Sequence, residues 1–126
     1  MAHRPLSPHL GIWKWGPHML VSILHRVCGD AMAFVGLGVL LWWLGALASG
    51  PDAYETFTGL ASSPVGYIVL VGLTWAFFTH MMSGLRHFVL DIGAGYELDT
   101  NRMWSIAAPV IAILLTAGFW ALIVLK

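Results

Sequence analysis

The chain has 126 residues, of which 59% are hydrophobic and 10% are charged, and its mean hydropathy is +0.80. A chain this short forms at most one domain, and it cannot bury so many apolar side chains in its own interior. The six basic and six acidic residues balance, so there is no basic surface for a nucleic acid to bind. The composition therefore predicts a single membrane domain, over residues 1–126, that has the lipid bilayer as part of its solvent.

Three apolar stretches are each long enough to cross a bilayer core of roughly 30 Å, which takes a helix of about 20 residues. The predicted helices cover about 17–48, 65–91 and 103–125. Loops are expected between them, at 49–64 and 93–102. The predicted fold class is all-α, an integral membrane protein with three transmembrane helices.

Basic residues are concentrated on one side of this arrangement. Arg4, Lys14 and Arg26 lie before or within the start of the first helix, while Arg86 and Arg102 flank the second loop. The first loop has acidic residues but no lysine or arginine, and basic residues favour the cytoplasmic side. We therefore expect a cytoplasmic amino terminus. The first residues lack the apolar core of a signal peptide, so we expect direct insertion into a bacterial inner membrane or a mature chain already trimmed.

The most informative stretch follows the apolar part of the second helix and runs from Thr79 to Asp91. In a helix, His80, Gly84, His87 and Asp91 are spaced at i, i+4, i+7 and i+11, which places them on one face. Ionisable groups within a membrane helix usually mark a function. Because a neutral imidazole is a standard axial ligand of haem iron, this face is predicted to bind a haem, with His80 as the deeper histidine.

A second polar cluster lies near the start of the first helix. Ser22, His25, Arg26 and Gly29 are spaced at i, i+3, i+4 and i+7, again on one helical face. Because the first two helices are antiparallel, both polar clusters are expected on the same side of the membrane. A haem fits this arrangement, with its iron in the apolar layer and its anionic propionates near arginine and histidine at the interface.

Each of these residues also has a simpler interpretation. The two histidines of the second helix would then form hydrogen bonds between helices, and the serine would bond its own helix backbone. The remaining polar residues would be interface anchors whose charged ends reach the lipid headgroups, a set comprising His25, Arg26, Asp30, Arg86 and Asp91.

Together these residues resemble a known family, the cytochrome b subunit (the large membrane anchor) of succinate dehydrogenase, respiratory complex II. The resemblance covers the whole chain and rests on three segments, which are Arg4-Pro-Leu-Ser-Pro-His-Leu10, Ser22-Ile-Leu-His-Arg26 with Gly29, and His80-x-x-x-Gly-x-Arg-His87 with Asp91. Two positions depart from the family pattern, where Trp13 replaces a tyrosine and Cys28 replaces a serine or threonine.

The resemblance implies a role for each matching position. His80 matches the histidine that ligates haem b, and the second axial histidine comes from another, smaller membrane-anchor subunit. Ser22 and Arg26 match residues of the ubiquinone site, close to the iron–sulfur subunit. His25 and Arg26 also match positions near the haem propionates, and His87 belongs to the same polar neighbourhood.

The family's chemistry passes electrons from succinate, oxidised at a flavin in a flavoprotein subunit, through the iron–sulfur subunit to ubiquinone. This chain has no flavin or nucleotide motif and no set of thiolates, so by itself it is expected to be non-catalytic. Two alternatives remain open at this point. One is an anchor that works in the opposite direction, in a quinol:fumarate reductase, and the other is a small non-redox membrane protein.

Overall fold

The computed structural model describes residues 14–126, which are almost entirely helical and contain no strand. The helices, in chain order, are α1 (Pro17–Ala31), a π-helical turn (Met32–Gly36), α2 (Leu37–Ser49), α3 (Pro51–Ala61), α4 (Pro64–Asp91) and α5 (Leu98–Val124). Three helical runs are long and apolar enough to cross a membrane, which confirms the predicted all-α fold class with three spans. The segment Arg4–Leu10 and Trp13 lie outside the described residues.

The first span is a single helical run of 33 residues, Pro17–Ser49, which is longer than the roughly 20 residues needed to cross a bilayer. It is interrupted by the π-helical turn, which inserts an extra residue into the helix and so rotates the faces of α2 relative to those of α1. Helix α1 packs against α4 and α5, while α2 packs against α3.

The predicted loop between the first and second spans is wrong for most of its length, because α3 occupies it. Gly50 reverses the chain with a φ of 113°, which glycine adopts readily. Pro51 then provides a preformed first turn, and Asp52 in that turn interacts favourably with the helix dipole. Phe57 is buried against Trp42 of α2, with ring centroids 5.1 Å apart in an edge-to-face arrangement.

The connection between α4 and α5 is shorter than the predicted loop. It turns through Gly93 and Gly95, which have φ values of 83° and 76°. Helix α5 then begins at Leu98, five residues before the predicted start. The early start matters for the site, because it places Asn101 on a helix directly beside α4 instead of in a loop.

The centre of the bundle is formed by small side chains where α4 meets α5 and α1. Such residues let helix backbones approach closely, which is how helices associate when lipid is their solvent. In the most apolar stretch of each span, only 6% to 17% of the residues are buried inside the chain, so most of its apolar surface is left for lipid or other chains. The buried residues of α1, α4 and α5 are Val21, Cys28, Ala76, Thr79, Ser83, Ser105, Ala108, Ala112 and Thr116.

Candidate functional site

The two predicted polar clusters meet where α1 crosses α4. The imidazole rings of His25 and His80 stack almost in parallel, with centroids 4.1 Å apart and an interplanar angle of 10°. His80 Nδ1 lies 3.2 Å from the backbone carbonyl oxygen of His25. This contact confirms that antiparallel packing brings the clusters to the same end of the bundle.

Gly29 makes this contact possible. In a helix, the carbonyl of residue 25 points along the axis toward residue 29, so a side chain at that position would lie beside it. A Cβ at Gly29 would lie 3.0 Å from Cε1 and 3.3 Å from Nδ1 of His80, closer than carbon atoms normally pack. The absence of a side chain therefore lets the ring of His80 reach the carbonyl of His25.

The bond to the carbonyl also fixes where the proton of His80 lies. A carbonyl oxygen only accepts hydrogen bonds, so Nδ1 must be the donor and carry the proton. In a neutral imidazole the other nitrogen, Nε2, then keeps its lone pair. Within residues 14–126, Nε2 has no hydrogen-bond partner, so it remains available as a ligand or an acceptor.

His87 completes a group of three histidines. Its ring lies edge-on to that of His25, with centroids 5.4 Å apart, and its side chain is more exposed than that of His80. Although the three rings are close together, no cluster of histidine, cysteine or acidic side chains in the described part of the chain is arranged to hold a metal ion alone.

The other predicted residues are placed near this group but do not bond to it. Ser22 lies about one turn before His25 on α1, and Arg26 directly follows His25. Both side chains are exposed, and neither forms a side-chain hydrogen bond or ion pair with the described residues. Asp30 and Asp91 are likewise exposed. The structure therefore brings three histidines together and leaves the hydroxyl and guanidinium donors facing outward.

Sequence reasoning assigned no role to Thr79, Ser83 and Asn101, and it interpreted Arg86 from its own residue type only as an interface anchor. Thr79 and Ser83 are fully buried, and their hydroxyl oxygens have no hydrogen-bond partner within residues 14–126. Arg86 donates a hydrogen bond from Nη2 to Oδ1 of Asn101 on α5. The serine and threonine fall at i and i+4 on the face beside His80, which was a visible signal, whereas nothing in the sequence indicated the pairing with Asn101.

Comparison with known proteins gives the site its context. A family model described as the succinate dehydrogenase/fumarate reductase transmembrane subunit matches residues 1–119. The chain belongs to this family. The match covers nearly the whole chain, so it includes both histidine-containing helices.

Individual relatives agree with the family match. The chain is 35% identical over 117 residues to the succinate dehydrogenase cytochrome b556 subunit of Paracoccus denitrificans, covering 90% of this chain and 89% of the relative. It is 37% identical over 117 residues to the subunit of the same name in Rickettsia felis, covering 93% and 90%. The mitochondrial cytochrome b560 subunit of Mus musculus is 33% identical over 126 residues, covering 96% of this chain and 72% of the relative.

The geometry of the described residues shows which ring nitrogens and hydrogen-bond donors this chain contributes. His80 presents one free ring nitrogen, and its orientation is set by a hydrogen bond and a stacked ring. Arg26 and Ser22 present donors at the same end of the bundle. The site thus combines a partly buried ring nitrogen that has no partner in the described chain with a set of exposed polar donors.

Proposed function

We propose that this chain is the large membrane-anchor subunit of a succinate:quinone oxidoreductase in a bacterial inner membrane. In this proposal it binds haem b together with a second anchor subunit and forms part of the ubiquinone-reduction site. Its amino terminus lies on the cytoplasmic side, and residues 1–126 act as a single membrane-anchor domain. The observation that carries the proposal is the hydrogen bond from His80 Nδ1 to the carbonyl of His25.

The hydrogen bonding of His80 is that expected of a haem ligand. Histidines that bind metals almost always donate a hydrogen bond from their other ring N–H to a carbonyl, carboxylate or water. This bond fixes the tautomer and the ring orientation. His80 has such a bond, and the stacked ring of His25 restrains it further. His80 would hold the iron through Nε2, while His25, Arg26 and His87 would lie near the propionates. A haem with two histidine ligands supplies one-electron transfer without an open position for oxygen.

The residues of α1 suit the quinone. Reduction of a quinone adds two electrons and two protons, so its carbonyl oxygens need hydrogen-bond donors. The Ser22 hydroxyl and the Arg26 guanidinium are such donors, and neither is occupied by another side chain of the described structure. Both are near the start of the first span, at the depth where water can deliver protons while the isoprenoid tail stays in lipid.

The partners follow from the same arrangement. A second anchor subunit would supply the other axial histidine and cover part of the apolar surface that the chain leaves exposed. The iron–sulfur subunit would contact the cytoplasmic end near Arg26 and connect it to the flavoprotein subunit. The cytochrome b556 relatives are named as subunits of succinate dehydrogenase, which favours this direction over fumarate reduction. Identification of the quinone that copurifies with the complex tests the direction.

Replacing His80 by alanine in the assembled complex tests the ligand. We expect the variant to lose the absorption spectrum of a b-type haem that has two histidine ligands, because no other nitrogen in α4 has the same fixed orientation. His87→Ala is the matched control and should retain axial ligation. An unchanged spectrum in the His80 variant would rule out this residue as the ligand.

Replacing Arg26 by alanine tests the quinone site. Loss of one charge-assisted hydrogen bond to a quinone oxygen should reduce quinone-linked activity by about tenfold or more. Succinate oxidation measured with an artificial dye should be retained, because that reaction takes place in the peripheral subunits. Equal loss of both activities would contradict a local role for Arg26.

A further inference from the structure

Arg86 lies on a part of α4 that the proposed haem and quinone sites do not use. It lines a cavity of about 240 Å³ between the end of α4 and the start of α5. Among the lining residues, Val89 follows His80 by nine positions, which places it about 180° around the helix from that histidine. The cavity therefore opens on the side of α4 opposite the histidines.

No acidic side chain of the described residues neutralises the charge of Arg86. Its one hydrogen bond is to the neutral amide of Asn101, and its buried Nε has no partner within residues 14–126. No carboxylate of the described residues forms an ion pair with it. A guanidinium has five N–H donors, so several remain available for an anion. A partly buried charge without a counter-ion is unfavourable, which favours an anion at this position.

The depth and the walls of the cavity indicate the kind of anion. Arg86 is five residues before the end of α4, about 7.5 Å along the axis, which allows its long side chain to reach headgroup level. Trp104, an amphipathic residue typical of the membrane interface, lines the same cavity. The other walls are almost entirely apolar and comprise Met82, Leu85, Val89, Leu90 and Ala108. A single charged group at the end of an apolar cavity is complementary to an anionic amphiphile.

We propose that Arg86 and Asn101 bind the phosphate of one anionic phospholipid, with the first part of an acyl chain in the cavity between α4 and α5. The guanidinium donates to phosphate oxygens, a pairing for which arginine geometry is well suited. The cavity is open toward the lipid-facing surface, since Leu85, Val89 and Trp104 are exposed. The site lies opposite the histidines, so lipid binding does not depend on the proposed haem ligation.

Native mass spectrometry of the purified complex tests this proposal. The wild-type complex should retain a phospholipid after mild detergent treatment, and Arg86→Gln should bind it about tenfold or more weakly through loss of charge-assisted bonds. Arg102→Gln is the matched control, because Arg102 is exposed at the same end but does not line the cavity. Equal retention in the wild type and the Arg86 variant would overturn the proposal.

The delipidated complex allows the charge preference to be measured. Titration with phosphatidylglycerol and with phosphatidylcholine in detergent should show tighter binding of the anionic lipid to the wild type, and this preference should disappear in Arg86→Gln. No preference in the wild type would contradict the proposal. A different pair of results would also contradict it: the wild-type complex contains no phospholipid, and the Arg86→Gln complex loses another subunit. An acidic group of that subunit would then be the partner of Arg86.

A second variant keeps the test decisive if Arg86→Gln does not assemble. Val89→Trp fills the cavity from its exposed side and leaves the bond between Arg86 and Asn101 in place. We expect it to lose the phospholipid while the haem spectrum stays unchanged, because Val89 is on the opposite side of α4 from His80. Retention of the phospholipid by this variant would refute the proposed site.

Discussion

The two halves of the first span make contacts of different kinds. Helix α1 meets α4 through a hydrogen bond and a stacked pair of rings, at His25 and His80. Helix α2 makes no close backbone approach to α4 or α5 within the described residues, and it meets α3 through an aromatic contact between Trp42 and Phe57. The first contact fixes the orientation and the tautomer of His80, whereas the second is apolar packing between two aromatic rings.

This difference follows from the solvent. Lipid tails are as apolar as leucine, so burying apolar side chains gives membrane helices little preference for one neighbour over another. Specific geometry arises where small residues allow close approach and polar groups find partners, as at Gly29 in α1. The π-helical turn at Met32–Gly36 separates the two halves and changes which face each presents. Substitutions in α1 should therefore alter the site, while those near α2 should alter only packing.

Gly29→Ala should have the largest effect. The added methyl group would press on the ring of His80 and disturb both its stacking on His25 and its bond to the His25 carbonyl. Overpacking of this kind costs roughly 1–3 kcal/mol, so we expect lower haem content and an altered electron paramagnetic resonance signal. Both are measured on the purified complex.

Gly38→Ala is the matched control for this substitution. A Cβ at Gly38 meets no atom of the described chain within 4 Å, so its haem content and resonance signal should remain those of the wild type. If Gly29→Ala were equally silent, Gly29 would not be needed to position His80, and the contrast between α1 and α2 would fail.

Phe57→Ala should have an intermediate effect, limited to stability. It removes the edge-to-face pair with Trp42 and the packing of α3 on α2, which together are worth about 1–2 kcal/mol. Thermal unfolding of the complex should shift to lower temperature, whereas the haem spectrum should not change. A changed spectrum would mean that α3 affects the histidines and that the two regions are not independent.

Thr74→Val should have the smallest effect. The Trp120 indole of α5 donates a hydrogen bond to the Thr74 hydroxyl on α4, at 3.2 Å, and that hydroxyl donates in turn to the carbonyl of Leu70. Polar bonds between membrane helices average about 0.6 kcal/mol, so a small loss of thermal stability is expected. Thr74→Ser keeps the hydroxyl and should restore the wild-type value. A loss of thermal stability as large as that of Phe57→Ala would show that this hydrogen bond contributes more than the expected value of about 0.6 kcal/mol.

Much of the fold could be predicted from the sequence, because hydropathy and helical spacing are local properties. Apolar length predicts the three spans, and the spacing of His80 and His87 predicts a polar face on the second. The meeting of that face with His25 followed from antiparallel connectivity. Helix α3 was missed because Gly50 and Pro51 mark both the end of one helix and the start of the next, and its polar sequence resembles that of a loop.

The sequence by itself determined that this chain spans the membrane three times and carries His25, His80 and His87 near one end of the helices. Only the tertiary structure decided that His80 donates to the carbonyl of His25, that Gly29 makes room for it, and that Arg86 faces Asn101 beside a cavity. The physical reason is that hydropathy acts on each helix separately. The axial and rotational alignment between helices depends on small residues, turns and single polar contacts that are far apart in the sequence.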